Sequence, residues 1–223
     1  MTRYLSTTSS ARPSVLETNR VLRNTYMLLS MTLLFSAAMA GLAVHFNWPP
    51  LGMLITLVGY FGLLFLTQWL SNSAWGLLSV FALTGFMGLT LGPIINLYLT
   101  NFTNGHQLVM LAMGGTGAIF LGLSGYVLTT RKDFSFMGGF LMVGILVAFL
   151  AGLGAAIFSI PALSLAVSAM FILLMSGMIL YQTSEIIHGG ETNYILATIS
   201  LYVTIYNLFV SLLQLLGIFG GDD

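Results

Sequence analysis

The sequence predicts an all-α integral membrane protein, a bundle of seven transmembrane helices. Three observations carry this. Of the 223 residues, 57% are hydrophobic and 5% charged, against about 25% charged in a soluble domain. Seven apolar stretches are each long enough to cross a bilayer core, which takes roughly 20 helical residues at about 1.5 Å each. The segments between them are short and rich in the Gly, Pro, Asn and Ser that end helices. Lipid is therefore the main surrounding of the chain. The formal net charge is zero and no basic run could neutralise a row of phosphates, so a nucleic-acid partner is not expected. Cysteine is absent, which removes disulfides, thiolate metal sites and cysteine nucleophiles.

The leading segment, residues 1–24, "MTRYLSTTSSARPSVLETNRVLRN", is polar and rich in Ser and Thr. It reads as a flexible cytoplasmic tail, because its early part has too little apolar surface to fold alone. Arg23, an apolar run and "SAAMAG" also resemble a signal peptide, but a polar lead of about 24 residues is long for one. The apolar run continues to Phe46, which makes Tyr26–Phe46 the first span, closed by "NWPP". The second, Leu51–Leu70, is closed by "SNSAW".

The third, Gly76–Leu99, carries Gly88 and Gly92 four residues apart, and Gly92-Pro93 is expected to kink it. The fourth, Leu108–Thr129, repeats the spacing with Gly114, Ala118 and Gly122. Ridges of small residues let helix backbones approach closely, and both are expected to pack inside the monomer, with a dimer face as the alternative. "TRKDFS" leads to the fifth span, Phe136–Phe158, "SIP" to the sixth, Ala162–Ile187, and "HGGETNY" to the seventh, Ile195–Phe219. The chain then divides into the tail, a membrane bundle over residues 25–219, and a short C-terminus, 220–223. Arg3, Arg12, Arg20 and Arg23 precede the first span, and Arg131 and Lys132 fall between the fourth and fifth. Cations near span ends stay on the cytoplasmic side, so the N-terminus is expected inside and the C-terminus outside.

In the seventh span Ser200, Thr204, Asn207, Ser211 and Gln214 recur at steps of four, three, four and three, on one helix face. Polar side chains in hydrocarbon require partners, so this span is expected against or inside the other six, through interhelical hydrogen bonds or, alternatively, along a hydrated pathway. In the sixth, Gln182 and Glu185 lie one turn apart near the cytoplasmic end. A carboxylate held out of water there would be a candidate functional group, whereas one at the interface would simply be solvated.

Glu185-x-x-His188 matches half of a helical di-iron motif, which needs a second copy and two further acids. The remaining acids, Glu17, Asp133, Glu191, Asp222 and Asp223, all fall outside the spans, so no metal site is expected. His-Glu-x-x-His, a phosphate loop and Gly-x-Ser-x-Gly are all missing, as are paired in-span aspartates. No catalytic or cofactor-binding residue is assigned and no enzymatic activity is expected. No internal repeat supports an inverted-repeat transporter.

Four segments, "RVLRNTYMLLSMTLLFSA", "LTGFMGLTLGPIINLYL", "YVLTTRKDFSFMGG" and "HGGETNYILATISLYVTIYNLFVSLL", in order over nearly the whole chain, resemble the Bax inhibitor 1 family of seven-span membrane proteins. The resemblance implies six helices around a central seventh, in agreement with the polar stripe. It is nearest to bacterial inner-membrane members, which implies a multi-pass protein of that membrane that modulates the membrane-anchored, ATP-driven zinc protease FtsH. The implied role is that of a binding partner, poor substrate and inhibitor, with zinc and ATP belonging to the partner and no cofactor to the chain itself.

Calcium-leak members of the family carry a pH-responsive aspartate pair, in roughly Tyr-Asp-Thr of the sixth span and Leu-Tyr-Leu-Asp-Ile of the seventh. Here these read Tyr181-Gln182-Thr183 and Leu201-Tyr202-Val203-Thr204-Ile205. Gln182 and Thr204 replace both acids, and neither titrates. A calcium or proton leak is therefore the alternative reading, with Glu185 as a lone acid one turn nearer the cytoplasm. The resemblance leaves the oligomeric state unspecified.

Overall fold

The computed structural model describes residues 15–220. Seven helices run through it: α1 (Val15–His45), α2 (Met53–Leu70), α3 (Trp75–Asn101), α4 (Gly105–Thr130), α5 (Gly138–Phe158), α6 (Pro161–His188) and α7 (Tyr194–Gly220), with one 3₁₀ turn, Ser135–Met137, before α5. Each helix is long and apolar enough to cross a membrane. The helix of the first span begins at Val15, so residues 15–24 of the expected tail are helical. The rest of that segment and the last three residues lie outside the described part.

The helix ends follow from local chemistry. Gly189, at φ 80°, terminates α6, and the Gly190 N–H reaches back to the Glu185 carbonyl at 2.8 Å, the 6→1 bond of a Schellman turn. Four residues on, the Asn193 side-chain oxygen accepts from the N–H groups of Ile195 at 2.9 Å and Leu196 at 3.4 Å, a full N-cap for α7. Its amide nitrogen donates to the Ser71 carbonyl and to the Asn72 side chain, tying the α6–α7 turn to the α2–α3 turn. At the opposite end Asn104 donates to the Gly220 carbonyl, and Asn96 to Asn47. Pro93 lies inside α3, which continues as helix on both sides of it.

The most buried span is α7. It packs against α1, α3, α4 and α6, while α2 leans on α3 and α5 on α6. Four helices thus embrace the central one, and two stand outside them. The most extensive helix pairing joins α1 and α3, and it is close. A Cβ added at Gly88 would fall 2.3 Å from the Ser36 carbonyl oxygen, and one at Gly92 2.3 Å from the Ala43 Cβ. This ridge packs inside the monomer as its spacing predicts.

The ridge on α4 does not. Nothing lies within 4 Å of a Cβ added at Gly114 or Gly122, and Gly114, Ala118 and Gly122 are all exposed. The packing face of α4 is instead Ala112, Thr116, Phe120, Ser124 and Val127, roughly opposite at 100° per residue.

Candidate functional site

The polar stripe of α7 is divided among three environments. Thr204, buried, shares its hydroxyl proton between the Gln182 side-chain oxygen at 3.1 Å and the Ser200 carbonyl at 2.9 Å. Gln182, also buried, donates from its amide nitrogen to the same carbonyl at 3.3 Å. Gln182 and Thr204 are therefore joined directly, through a neutral amide–hydroxyl bond. Further along, the Gln214 side-chain oxygen accepts from Ser168 of α6 at 2.8 Å, and Ser211 is buried. These contacts are the interhelical hydrogen bonding that the stripe predicts.

Ser200 and Asn207 behave differently. Asn207 donates to the Val203 carbonyl of its own helix at 2.8 Å, while Ser200, on the central helix, is exposed. Both line a cavity of about 730 Å³ bounded by α2, α3, α5, α6 and α7. Its walls are mainly apolar, including Leu57, Leu64, Phe86, Ile145, Met178 and Val203, and its polar groups are Thr56, Tyr60, Gln68, Thr90, Gln182, Ser200, Thr204, Tyr206 and Asn207. Among the described residues no Asp, Glu, Lys, Arg or His lines it. The volume lies within the roughly 300–1,000 Å³ range of ligand pockets.

Glu185 stands apart from this group. It is half-buried, and its carboxylate rests over Gly190, where an added Cβ would meet it at 2.2 Å. The sequence sets Glu185 beside Gln182, but one helical turn carries it out of the cavity and into the cap of α6. His188 is likewise part of an end structure. Its Nε2 lies 3.1 Å from the Arg131 carbonyl and its Nδ1 2.9 Å from the Ser184 carbonyl, while the Ser184 hydroxyl accepts from the Phe134 N–H at 2.9 Å. Nearby, the Ser135 N–H donates to Asp133 at 2.8 Å and holds its carboxyl below the ordinary range. Lys132 donates to the Tyr126 hydroxyl at 2.9 Å, which favours its charged form and raises it. Among the described residues no group of three or more His, Cys, Asp or Glu is placed to hold a metal ion.

Two polar clusters were not singled out from the sequence. Tyr202, 1% exposed, has its hydroxyl 2.5 Å from that of Ser36 and donates to the Thr84 carbonyl at 3.3 Å, clamping α7 to α1 and α3. Tyr26 of α1 bonds Ser124 of α4, which lies 3.3 Å from the Thr183 hydroxyl on α6. The available signal was a hydroxyl on an otherwise apolar helix, since a buried Tyr seeks a partner for its O–H.

Comparison with known proteins gives this arrangement a lineage. The family described as inhibitor of apoptosis-promoting Bax1 matches over residues 18–221. An uncharacterized protein of Pseudomonas aeruginosa is 57% identical over 207 residues, 93% of each chain. The Escherichia coli protein named modulator of FtsH protease YccA is 54% identical over 215 residues, 96% of this chain and 97% of that one. An uncharacterized membrane protein of Vibrio cholerae is 44% identical over 218 residues, 97% of each. Matched from the first span to the end of the last, with its seven helices in the expected order, the chain belongs to the Bax inhibitor 1 family.

Proposed function

We propose that this chain is a multi-pass protein of the bacterial inner membrane that binds an FtsH-type protease and restrains it as a poorly degraded substrate, with no catalysis of its own. The observation that carries the reading is the 54% identity, over 96% of the chain, to a protein named as a modulator of that protease; an Escherichia coli relative of equal identity is named as an inner-membrane protein. The bundle suits the role. Polar clamps at Tyr202, Gln182–Thr204 and Ser168–Gln214 tie α7 to its neighbours, and extracting one helix would leave their partners unsatisfied in hydrocarbon. A proton-gated leak is disfavoured because neither Gln182 nor Thr204 titrates.

In this proposal the N-terminus lies in the cytoplasm, as the positive-inside rule expects, and residues 2–14 are the handle that the protease engages. The test is a chase of full-length chain and of a form lacking those residues, in cells with and without active protease. The shortened chain should still co-purify with the protease and be degraded far more slowly. Equal half-lives under active protease would refute the handle, and failure of both forms to co-purify after crosslinking would refute the partner.

A further inference from the structure

We infer that the cavity between α2 and α5 is a lipid site, occupied by an acyl chain that enters sideways from the bilayer. Four features select this occupant. The mouth opens on the lipid-facing side, since the lining residues Met142, Leu146 and Phe61 are 75%, 57% and 38% exposed. Exposure of Ser200 on the central helix shows that the opening reaches α7. The walls are mainly apolar and no charged residue among the described ones lines them, so inorganic ions and phosphate groups find no counter-charge inside, whereas methylene groups fill the apolar space at little desolvation cost. Finally, Phe61 of α2 and Phe149 of α5 meet edge to face across the mouth, with ring centroids 6.2 Å apart. A helix about 10–12 Å across cannot pass that contact, but a polymethylene chain can slide beside it.

The polar groups give the occupant a direction. Gln68 lies two residues from the end of α2, and Gln182 and Ser200 each lie six residues from the ends of α6 and α7 that share the same membrane face. Six residues of helix span about 9 Å. The Ser200 hydroxyl and the Gln68 amide have no hydrogen-bond partner among the described residues and can donate to ester carbonyls. The chain then runs past Met178 and Val203 toward Phe171 and Phe149. The ligand class is accordingly a glycerophospholipid of the leaflet at the α2–α3 and α6–α7 turns, with its headgroup outside the cavity.

The test uses the full chain in nanodiscs made with a phospholipid bearing a diazirine at the acyl terminus, followed by illumination and mapping of adducts by mass spectrometry. Adducts are expected on the deep wall, at Met175, Met178 and Val203, as well as on outward residues such as Leu54 and Leu150. The chain contains no cysteine, so Ser200→Cys can be filled after folding with a bulky lipophilic maleimide; the deep adducts should then disappear while the outward ones persist. A Ser200→Trp variant of unchanged elution and helicity should lose the same adducts. Deep labelling that is absent, or unaffected by both fillings, would overturn the inference. So would modification of Ser200→Cys by a charged, membrane-impermeant thiosulfonate as fast as Ser135→Cys, which indicates a water-filled cavity. Carbene crosslinking from Ser200→Cys to a co-reconstituted protease, in place of lipid, would show a helix there and equally overturn it.

Discussion

Gly88→Ala offers a severe test of the α1–α3 contact. The added methyl would fall 2.3 Å from the Ser36 carbonyl oxygen and 2.9 Å from its hydroxyl oxygen. The first neighbour is backbone, so no rotamer change relieves the overlap. Restoring an ordinary contact of 3.4 Å requires the helices to separate by 1.1 Å, the difference between 3.4 and 2.3 Å. Overpacking of this kind costs about 1–3 kcal/mol. The shift also stretches the 2.5 Å Ser36–Tyr202 bond, whose loss adds about 1 kcal/mol. The control is Gly114→Ala on α4, where the new methyl meets nothing within 4 Å. Because both substitutions gain the same helix preference of Ala over Gly, about 1 kcal/mol, their difference isolates the packing. Unfolding in mixed micelles with increasing dodecyl sulfate, followed by helicity, should place Gly88→Ala about 2–4 kcal/mol below Gly114→Ala. Equal midpoints would refute the close approach of α1 and α3.

Orientation can be read with single thiols in the native cysteine-free background: Ser135→Cys should react only from the cytoplasmic side and Gln107→Cys only from outside, and an inverted pattern would defeat the charge argument. Liposomes holding the unmodified chain should pass little calcium between about pH 6 and 8, whereas Gln182→Asp with Thr204→Asp should share a proton and make flux depend on pH; strong gated flux in the unmodified chain would restore the leak reading. At Asp133 the native carboxyl titrates below its unfolded value, so its contribution to loop order is present above about pH 4 and lost as pH falls through the lower native value. Hydrogen-exchange protection in residues 131–137, the intrinsic rate at each pH divided by the observed one, should therefore fall in acid for the native chain, and be already low and insensitive to this transition in Asp133→Asn.

The seven spans are legible because an unbroken run of roughly twenty apolar residues suits a bilayer crossing and little else. Their ends are less so. Hydropathy places the start of the first span at Tyr26, yet α1 begins at Val15, since a helix can continue into the interface with Arg20 and Arg23 on its polar turns. Spacing alone also identifies ridges without saying which way they face. Gly88 and Gly92 meet α1 as expected, whereas Gly114 and Gly122 point away from the bundle, because the phase of α4 is set by Phe120, Ser124 and their neighbours. The α7 stripe correctly announces a central helix. The cavity it borders is hidden from sequence, because its walls come from five helices distant along the chain, and Tyr202 is hidden because an aromatic residue in an apolar span reads as lipid-facing.

An amide at Gln182 and a hydroxyl at Thr204, in place of the acid pair that the family resemblance implies for calcium-leak members, bear on what the middle of the bundle can do. Two carboxylates at hydrogen-bond distance away from water cannot both ionise, so their contact depends on a proton and becomes a switch. An amide and a hydroxyl need no proton from solution: Thr204 donates to Gln182 at 3.1 Å, Gln182 donates to the Ser200 carbonyl at 3.3 Å, and neither group changes charge near neutrality. Glu185, the remaining carboxylate of α6, is held at the Gly190 turn and cannot restore the pair. The contact of α6 with α7 at this point therefore does not depend on a proton. A fixed contact is of little use to a gate, but it is what a protein needs if it is to occupy an extracting protease without being drawn out of the membrane.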